Sequence, residues 1–251
     1  NQRTLLVRAN ATAASLEITP DPLRFAEGFL GFPEERRVSI ANRGTAPASL
    51  TSLALADVGA FALSLGGASF PLTIDAGATF ELGIVFDAPA LGEHATVLTV
   101  ASDAGSTPEI TVDVSGAAFD PPVLEVTPSP IDFGDTHRKV GTDPAATVVL
   151  TVRNTGGYEL RVLSLATTAS VANFSVDPVA LAPIPPGAEA TVNVRYSPVA
   201  PTFPVVERAA LSLVTNDPAH RPVFRVPLSG RGIDPAVFVL PANPSEVNFY
   251  E

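Results

Sequence analysis

One pattern occurs twice in this chain, and a looser version of it occurs a third time. It reads LEITPDPLRF from Leu16 and LEVTPSPIDFG from Leu124, and the third form, FVLPANPSEVNFYE, starts at Phe238. Self-similarity at a long spacing is typical of a domain array. We therefore expect two complete units, residues 16–118 and 119–234. An extension or preceding linker at 1–15 and the first strand of a truncated third unit at 235–251 would flank them.

Apolar residues alternate with polar ones in matching segments of the two units. Each segment follows a glycine, Gly77 or Gly187, and the apolar sets are Phe80, Leu82, Ile84 and Phe86 in the first and Ala190, Val192, Val194 and Tyr196 in the second. Period-two alternation is typical of half-buried antiparallel strands. About seven such strands per unit, separated by proline and glycine turns, predict an all-β fold of tandem immunoglobulin-like antiparallel β-sandwiches.

Prolines and asparagines suggest local detail. Pro20 and Pro22, like Pro128 and Pro130, fall inside the first strand of their units, which predicts an edge strand or one divided between two sheets. Asn42 and Asn154 each begin an Asn-x-Gly turn, where we expect positive backbone φ angles. Ser-Gly pairs at 115–116 and 229–230 are expected to close the units. The recurring Phe25, Phe133 and Phe249 are expected to fill the cores.

Composition excludes several classes of function. A net charge of −11 argues against nucleic acid binding, because phosphate contacts require a clustered basic surface. Without cysteine the chain has neither disulfides nor thiolate metal sites. No apolar stretch reaches the roughly 18 residues of a membrane span, so we expect no membrane insertion within this segment. Methionine is also absent, from which we expect a processed product or a piece of a larger one.

Residues that could perform chemistry are scattered. We expect His94, His137 and His220 in three separate surface loops, and isolated aspartates such as Asp217 in turns. No nucleophile elbow, phosphate loop or calcium loop occurs. The sequence thus predicts that the chain is not an enzyme and has no catalytic, cofactor or metal site. Tyr158 is the candidate for stacking on a sugar, because Tyr196 falls on the predicted core face. The glycosylation sequons at Asn10 and Asn173 are interpreted as coincidental.

Several motifs of the second unit together resemble the abnormal-spindle/hydin (ASH) type of immunoglobulin-like domain, as found in bacterial choice-of-anchor D surface proteins. They are Asp132-Phe133-Gly134, Asn154, Val194-Arg195-Tyr196-Ser197-Pro198, Asn216-Asp217-Pro218 and Leu228-Ser229-Gly230-Arg231-Gly232. The first unit departs from them with Arg24-Phe25-Ala26 and Ser102-Asp103-Ala104. The resemblance implies a sandwich related to major-sperm-protein and pilus-chaperone domains, used for scaffolding or adhesion, with no shared activity.

Three functions follow as hypotheses. The first is a non-catalytic scaffolding or adhesion module, a semi-rigid spacer in a larger secreted or cell-surface bacterial protein, with a cytoplasmic scaffold as the other location. Protein partners or self-association are expected. The second is a subunit that assembles by β-strand addition, through an assembly strand whose apolar residues are Phe238, Val239, Leu240, Val247 and Phe249. The third is a glycan-binding accessory module of an extracellular enzyme.

Overall fold

The computed structural model describes residues 12–138, 146–167, 173–178 and 180–234. The chain forms two compact units, Asn1–Pro121 (unit one) and Pro122–Glu251 (unit two). The predicted assembly strand, from Phe238 to Phe249, lies outside the described residues.

The described part of unit one contains nine strands in two facing sheets. One sheet has the order β1-β3-β7-β5 and the other the order β2-β9-β8-β4-β6. The strands are β1 (Leu16–Thr19), β2 (Leu23–Phe29), β3 (Glu34–Asn42), β4 (Ala48–Leu55), β5 (Phe61–Ser64), β6 (Leu72–Ile74), β7 (Thr79–Phe86), β8 (Gly92–Ser102) and β9 (Glu109–Phe119).

The described part of unit two repeats this plan with eight strands and one 3₁₀ turn, Pro218–His220. Its sheets have the orders β10-β12-β15-β14 and β11-β17-β16-β13. The strands are β10 (Leu124–Thr127), β11 (Ile131–His137), β12 (Ala146–Asn154), β13 (Val162–Thr167), β14 (Phe174–Asp177), β15 (Glu189–Tyr196), β16 (Glu207–Thr215) and β17 (Phe224–Ile233). The predicted fold class, all-β with immunoglobulin-like sandwiches, is confirmed.

The first strand of each unit is divided between the two sheets, as the prolines predicted. In unit one, β1 pairs with β3 and the chain then crosses at Pro20–Pro22, so that β2 pairs with β9 in the other sheet. The same division occurs between β10 and β11. The β2–β9 and β11–β17 pairs are parallel, so the sheets that contain them are mixed and not purely antiparallel.

Each unit has its own hydrophobic core, and the predicted alternation fills it. Leu82, Ile84 and Phe86 are buried on β7, and Val192, Val194 and Tyr196 are buried on β15. Gly77 and Gly187 precede these strands with positive φ angles. Glycine is favoured in that conformation, because it has no Cβ to clash with the backbone.

The prediction that Ser-Gly pairs close the units is wrong. β9 continues past Gly116 to Phe119, and β17 continues past Gly230 to Ile233. Both glycines lie inside a strand, and the reason is steric. A Cβ at Gly116 would lie 3.0 Å from the Phe86 ring, and one at Gly230 would lie 2.7 Å from the Tyr196 ring. The aromatic side chain of the facing strand occupies the space that a side chain would need.

Candidate interaction surface

A fully buried asparagine ends β3 in unit one. The Asn42 side-chain oxygen accepts hydrogen bonds from the backbone N–H groups of Ser15 (3.3 Å) and Gly44 (3.0 Å). Its amide donates to the carbonyls of Ala46 (2.8 Å) and Ile74 (3.0 Å). One side chain therefore connects the chain before β1, the turn after β3 and the end of β6.

Asn154 makes the same four bonds in unit two. It accepts from Val123 and Gly156 and donates to Tyr158 and Ile184. The predicted local role is confirmed, but its expected basis, a positive φ, is wrong, because no non-glycine residue among those described has one. Both asparagines are completely buried, and buried polar groups of this kind are retained for their hydrogen bonds.

Three aromatic rings cluster at the centre of each core. In unit one, the Phe25 ring lies 6.1 Å from Phe61 and 5.3 Å from Phe86, while Phe61 and Phe86 stack at 5.0 Å. The predicted core role of Phe25 is confirmed. In unit two, the partly buried Phe133 lies 6.0 Å from Phe174 and 5.7 Å from Tyr196. Phe174 and Tyr196 stack at 4.7 Å. Phe249 lies outside the described residues.

Unit two adds a polar network to its aromatic cluster. The Tyr196 hydroxyl donates to the Glu207 carboxylate at 2.5 Å, and the Asn173 amide donates to both oxygens of that carboxylate at 3.0 Å. Burial first, and then the hydrogen bond to Glu207, raises the pKa of Tyr196. The Asn173 side chain is buried and engaged in this network, so its sequon is closed to a glycan in the folded unit.

The Asp132-Phe133-Gly134 motif forms a bulge on β11. The Asp132 carboxylate accepts from the Gly134 N–H (3.1 Å) and from the Ser229 hydroxyl (2.9 Å) on β17, and Gly134 has a φ of 59°. The Gly134 N–H, followed by Ser229, holds the pKa of Asp132 below its ordinary value. An open, polar pocket of about 400 Å³ lies beside this bulge and is lined by Asp132, Asp135, Arg208 and Ser229 together with Val206.

Beside this pocket, the β15–β16 loop carries an exposed apolar surface. Val199, Phe203, Val205 and Val206 are 72%, 67%, 64% and 40% exposed. We call these four residues the apolar loop surface. They are four of the ten exposed large apolar residues found in the described part of the chain, and they lie within eight positions. Exposed apolar side chains concentrated in one loop make this loop the candidate interaction surface among the described residues.

The base of this loop is fixed to β17. The Thr202 N–H donates to the Gly232 carbonyl at 2.9 Å, and the Gly232 N–H donates to the Thr202 hydroxyl at 2.8 Å. The Arg231 guanidinium lies 5.0 Å from the Phe203 ring centre and forms two hydrogen bonds, of 2.6 and 2.7 Å, with Asp135. The apolar surface therefore lies on a well-anchored loop.

Sequence reasoning missed the apolar loop surface, although a signal was present. His94 pairs with Gly116 and Glu207 pairs with Gly230, so His94 and Glu207 are equivalent positions. Eleven positions separate Tyr196 from Glu207, whereas eight separate Phe86 from His94. Unit two thus has three additional residues in this connection, and the connection is rich in valine, proline and phenylalanine.

Two of the three histidines are placed differently from the prediction, since His94 lies on β8 and His137 ends β11. His220 lies in a connection between strands, as predicted, and ends the 3₁₀ turn between β16 and β17. The His220 Nδ1 lies 2.7 Å from Asp217, whose carboxylate also accepts from the N–H groups of Leu124 and Ala219 at 2.8 Å. Asp217 is 1% exposed and connects this turn to the first residue of β10. It is a buried anchor and not simply a turn residue.

Tyr158, the candidate for sugar stacking, has one face occupied. The Arg161 guanidinium lies 6.0 Å from its ring centre. Tyr196 is fully buried, as predicted. Within the described ranges, no group of three or more histidines, aspartates and glutamates could hold a metal ion. No helix in the same ranges is long and apolar enough to cross a bilayer.

No family model and no curated protein matches this sequence. Similar solved structures include a protein of unknown function from Porphyromonas gingivalis W83, at 18% identity and a TM-score of 0.34, covering 86% of this chain and 99% of that one. The ASH/PapD-like domain 7 of human CEP192 matches at 15% identity and a TM-score of 0.32, covering 47% of this chain and 96% of that one. The surface layer protein SbsC, domains 4–9, matches at 14% identity and a TM-score of 0.32, covering 90% of this chain and 32% of that one. Likeness at this level concerns the fold alone.

Proposed function

We propose that this chain is a non-catalytic structural module that sets the distance between other parts of a secreted or cell-surface bacterial protein. In this proposal the two units are ASH-type domains, as in choice-of-anchor D proteins. One observation carries it: two sandwiches with separate cores are joined by only four residues, 120–123, of which two are Pro121 and Pro122. A short, proline-containing connection restricts rotation between neighbouring domains.

The polar residues that could suggest chemistry support the same proposal. Asn42, Asn154 and Asp217 are buried, and their hydrogen bonds go mainly to backbone groups that define turns and strand starts. Glu207 is engaged by Tyr196 and Asn173. These groups stabilise the sandwiches and are already occupied, so they are not available to a substrate.

Distance measurement between two spin labels tests the spacer function. The chain has no cysteine, so Val58→Cys in unit one and Leu163→Cys in unit two, 73% and 67% exposed, accept labels without competition. We expect one narrow distance distribution. The matched control carries Pro121→Gly and Pro122→Gly as well, and its distribution should be broader, by about twofold. Equal breadth in both proteins, or a compact globular scattering profile, would contradict the spacer proposal.

Assembly by β-strand addition is the second candidate function. In the described part of unit two, β13 is an edge strand that pairs only with β16, and Leu163 on it is 67% exposed. An exposed edge is the template for strand addition, with Phe238, Val239, Leu240, Val247 and Phe249 as the donor. Sedimentation velocity over a range of concentrations tests it. Association that is unchanged after deletion of residues 236–251 would exclude this donor.

A further inference from the structure

We propose that the apolar loop surface of unit two is a docking site for residues 236–240 of the same chain. These five residues, Ala-Val-Phe-Val-Leu, form an uninterrupted apolar run between Pro235 and Pro241. The inference goes beyond the spacer function and does not depend on it, and it is the alternative to strand addition, which would place Phe238, Val239 and Leu240 on a second copy.

The position at which the chain leaves unit two is the first argument. β17 ends at Ile233, next to the residues that anchor the loop. Gly232 exchanges two hydrogen bonds with Thr202, and Arg231 lies over the Phe203 ring. The chain therefore leaves the sheet beside the apolar loop surface, and the apolar run follows in sequence directly after this point.

Chain length is the second argument. Val239 follows Asp234 by five residues. A segment of that length spans about 17 Å at most when it is fully extended. The apolar loop surface lies within this reach, because its base is bonded to the residue two positions before Asp234.

The end of the β11-β17-β16-β13 sheet that carries Leu163 lies beyond the reach of this segment. Leu163 lies between Val162 and Ser164 of β13, which pair with Thr215 and Val214, and Val214 is seven residues along β16 from Glu207. Seven strand residues extend over about 23 Å. Leu163 therefore supplies an exposed apolar position that the tethered run cannot contact.

Chemical complementarity is the third argument. Val199, Phe203 and Val205 are largely exposed on a loop that is fixed at its base. The run at 236–240 contains no charged or polar side chain and is tethered next to this surface, so its local concentration is high. Contact between this run and the apolar loop surface removes apolar area of both from water, which favours docking.

Engineered cysteine pairs test this docking in the full chain. In Val205→Cys/Val239→Cys we expect an intramolecular disulfide under mild oxidation, identified by peptide mass mapping and by the monomeric mass. The matched control adds Val199→Ser and Phe203→Ser to the same cysteine pair, so the tether is unchanged and only the apolar loop surface is weakened. The docked pair should form its bond at least about tenfold faster than the control. Equal rates would overturn the proposal, and so would disulfide-linked dimers as the main product, since a second copy would then cover the surface.

Hydrogen exchange is a second measurement of docking. Unlike disulfide formation, it does not trap a rarely populated conformation. Docking should slow exchange of the backbone amides of residues 237–240. Phe203→Ser/Val205→Ser should make them exchange at least about tenfold faster, while Leu163→Ser should leave them unchanged. Amides that exchange at the same rate in the native chain and in the double variant would overturn the proposal even if a disulfide formed.

Discussion

The two sandwiches place different chemistry at one equivalent position, the start of β8 in unit one and of β16 in unit two. His94 lies opposite Gly116, and its ring centre is 5.9 Å from that of Phe86. Glu207 lies opposite Gly230 and accepts a hydrogen bond from the Tyr196 hydroxyl. Unit one thus covers its aromatic cluster with another ring, whereas unit two covers it with a hydrogen-bonded carboxylate.

The aromatic packing beneath this position is almost the same in both units. Phe61 and Phe86 stack at 5.0 Å with an interplanar angle of 27°, and Phe174 and Tyr196 stack at 4.7 Å with an angle of 29°. The fold therefore requires a stacked ring with a glycine facing it, and it tolerates a hydroxyl on that ring only where a partner is supplied. The packing of the rings is common to both units, whereas the hydrogen-bonded hydroxyl on the stacked ring is specific to unit two.

The largest effect is expected at the feature the units share most closely, the buried asparagine. Asn154→Ala removes four side-chain hydrogen bonds, with Val123, Gly156, Tyr158 and Ile184. Each such bond contributes about 1 kcal/mol, so we expect unit two to lose about 3–5 kcal/mol. Asn42→Ala should do the same to unit one. All three tyrosines lie in unit two, so tyrosine fluorescence during urea unfolding follows that unit, while circular dichroism follows both.

Asn193→Ala, a change to a partly exposed residue of β15, is the control and should alter unit stability by less than about 0.5 kcal/mol. A loss below about 1 kcal/mol in Asn154→Ala would contradict this stabilising role, and a large loss from only one of the two asparagine substitutions would show that the asparagines are not equivalent.

A smaller effect is expected at the glycines that face the rings. Gly230→Ala places a methyl group 2.7 Å from the Tyr196 ring, and Gly116→Ala places one 3.0 Å from the Phe86 ring. Overpacking of this kind costs about 1–3 kcal/mol, with the greater loss in Gly230→Ala. Gly105→Ala is the control, because its Cβ would meet no atom within 4 Å. Urea unfolding measures all three, and equal stability of Gly230→Ala and Gly105→Ala would contradict the steric explanation.

Much of the fold could be predicted because its cause is local. Alternation on β7 and β15, the glycine turns at Gly77 and Gly187, and the prolines between β1 and β2 each impose a conformation on their own segment. Ser-Gly at 115–116 predicts the end of a unit because these residues favour the ends of strands. The actual reason for the glycine is a ring on another strand, and a single sequence does not show which strand faces it.

The candidate surface was less predictable for a related reason. Apolar residues in the β15–β16 connection could have been buried, and it is their exposure in the folded unit that shows that the loop turns its valines and Phe203 outward. The role of Asp217 was also underestimated, because its partner Leu124 lies 93 positions away. Contacts across such separations depend on the assembled sheets and not on local pattern.

The smallest effect is expected from Tyr196→Phe, which gives unit two the aromatic cluster of unit one. Glu207 loses the hydroxyl but keeps the Asn173 amide, so the loss at neutral pH should be about 1 kcal/mol. This difference in stability between the two proteins should shrink in alkali. Burial and Glu207 raise the pKa of Tyr196 above its ordinary value of 10.0, so above that pH the folded unit keeps a proton that the unfolded chain releases. This contribution to stability is complete below the unfolded pKa and is lost as the pH rises through the folded pKa.

Urea unfolding followed by circular dichroism from about pH 8 to about pH 11 should therefore show a fall in the stability of unit two that is shallower in Tyr196→Phe. Unit one, which has no tyrosine, serves as the internal control, and identical pH profiles for unit two in the two proteins would show that the hydroxyl network does not distinguish the units.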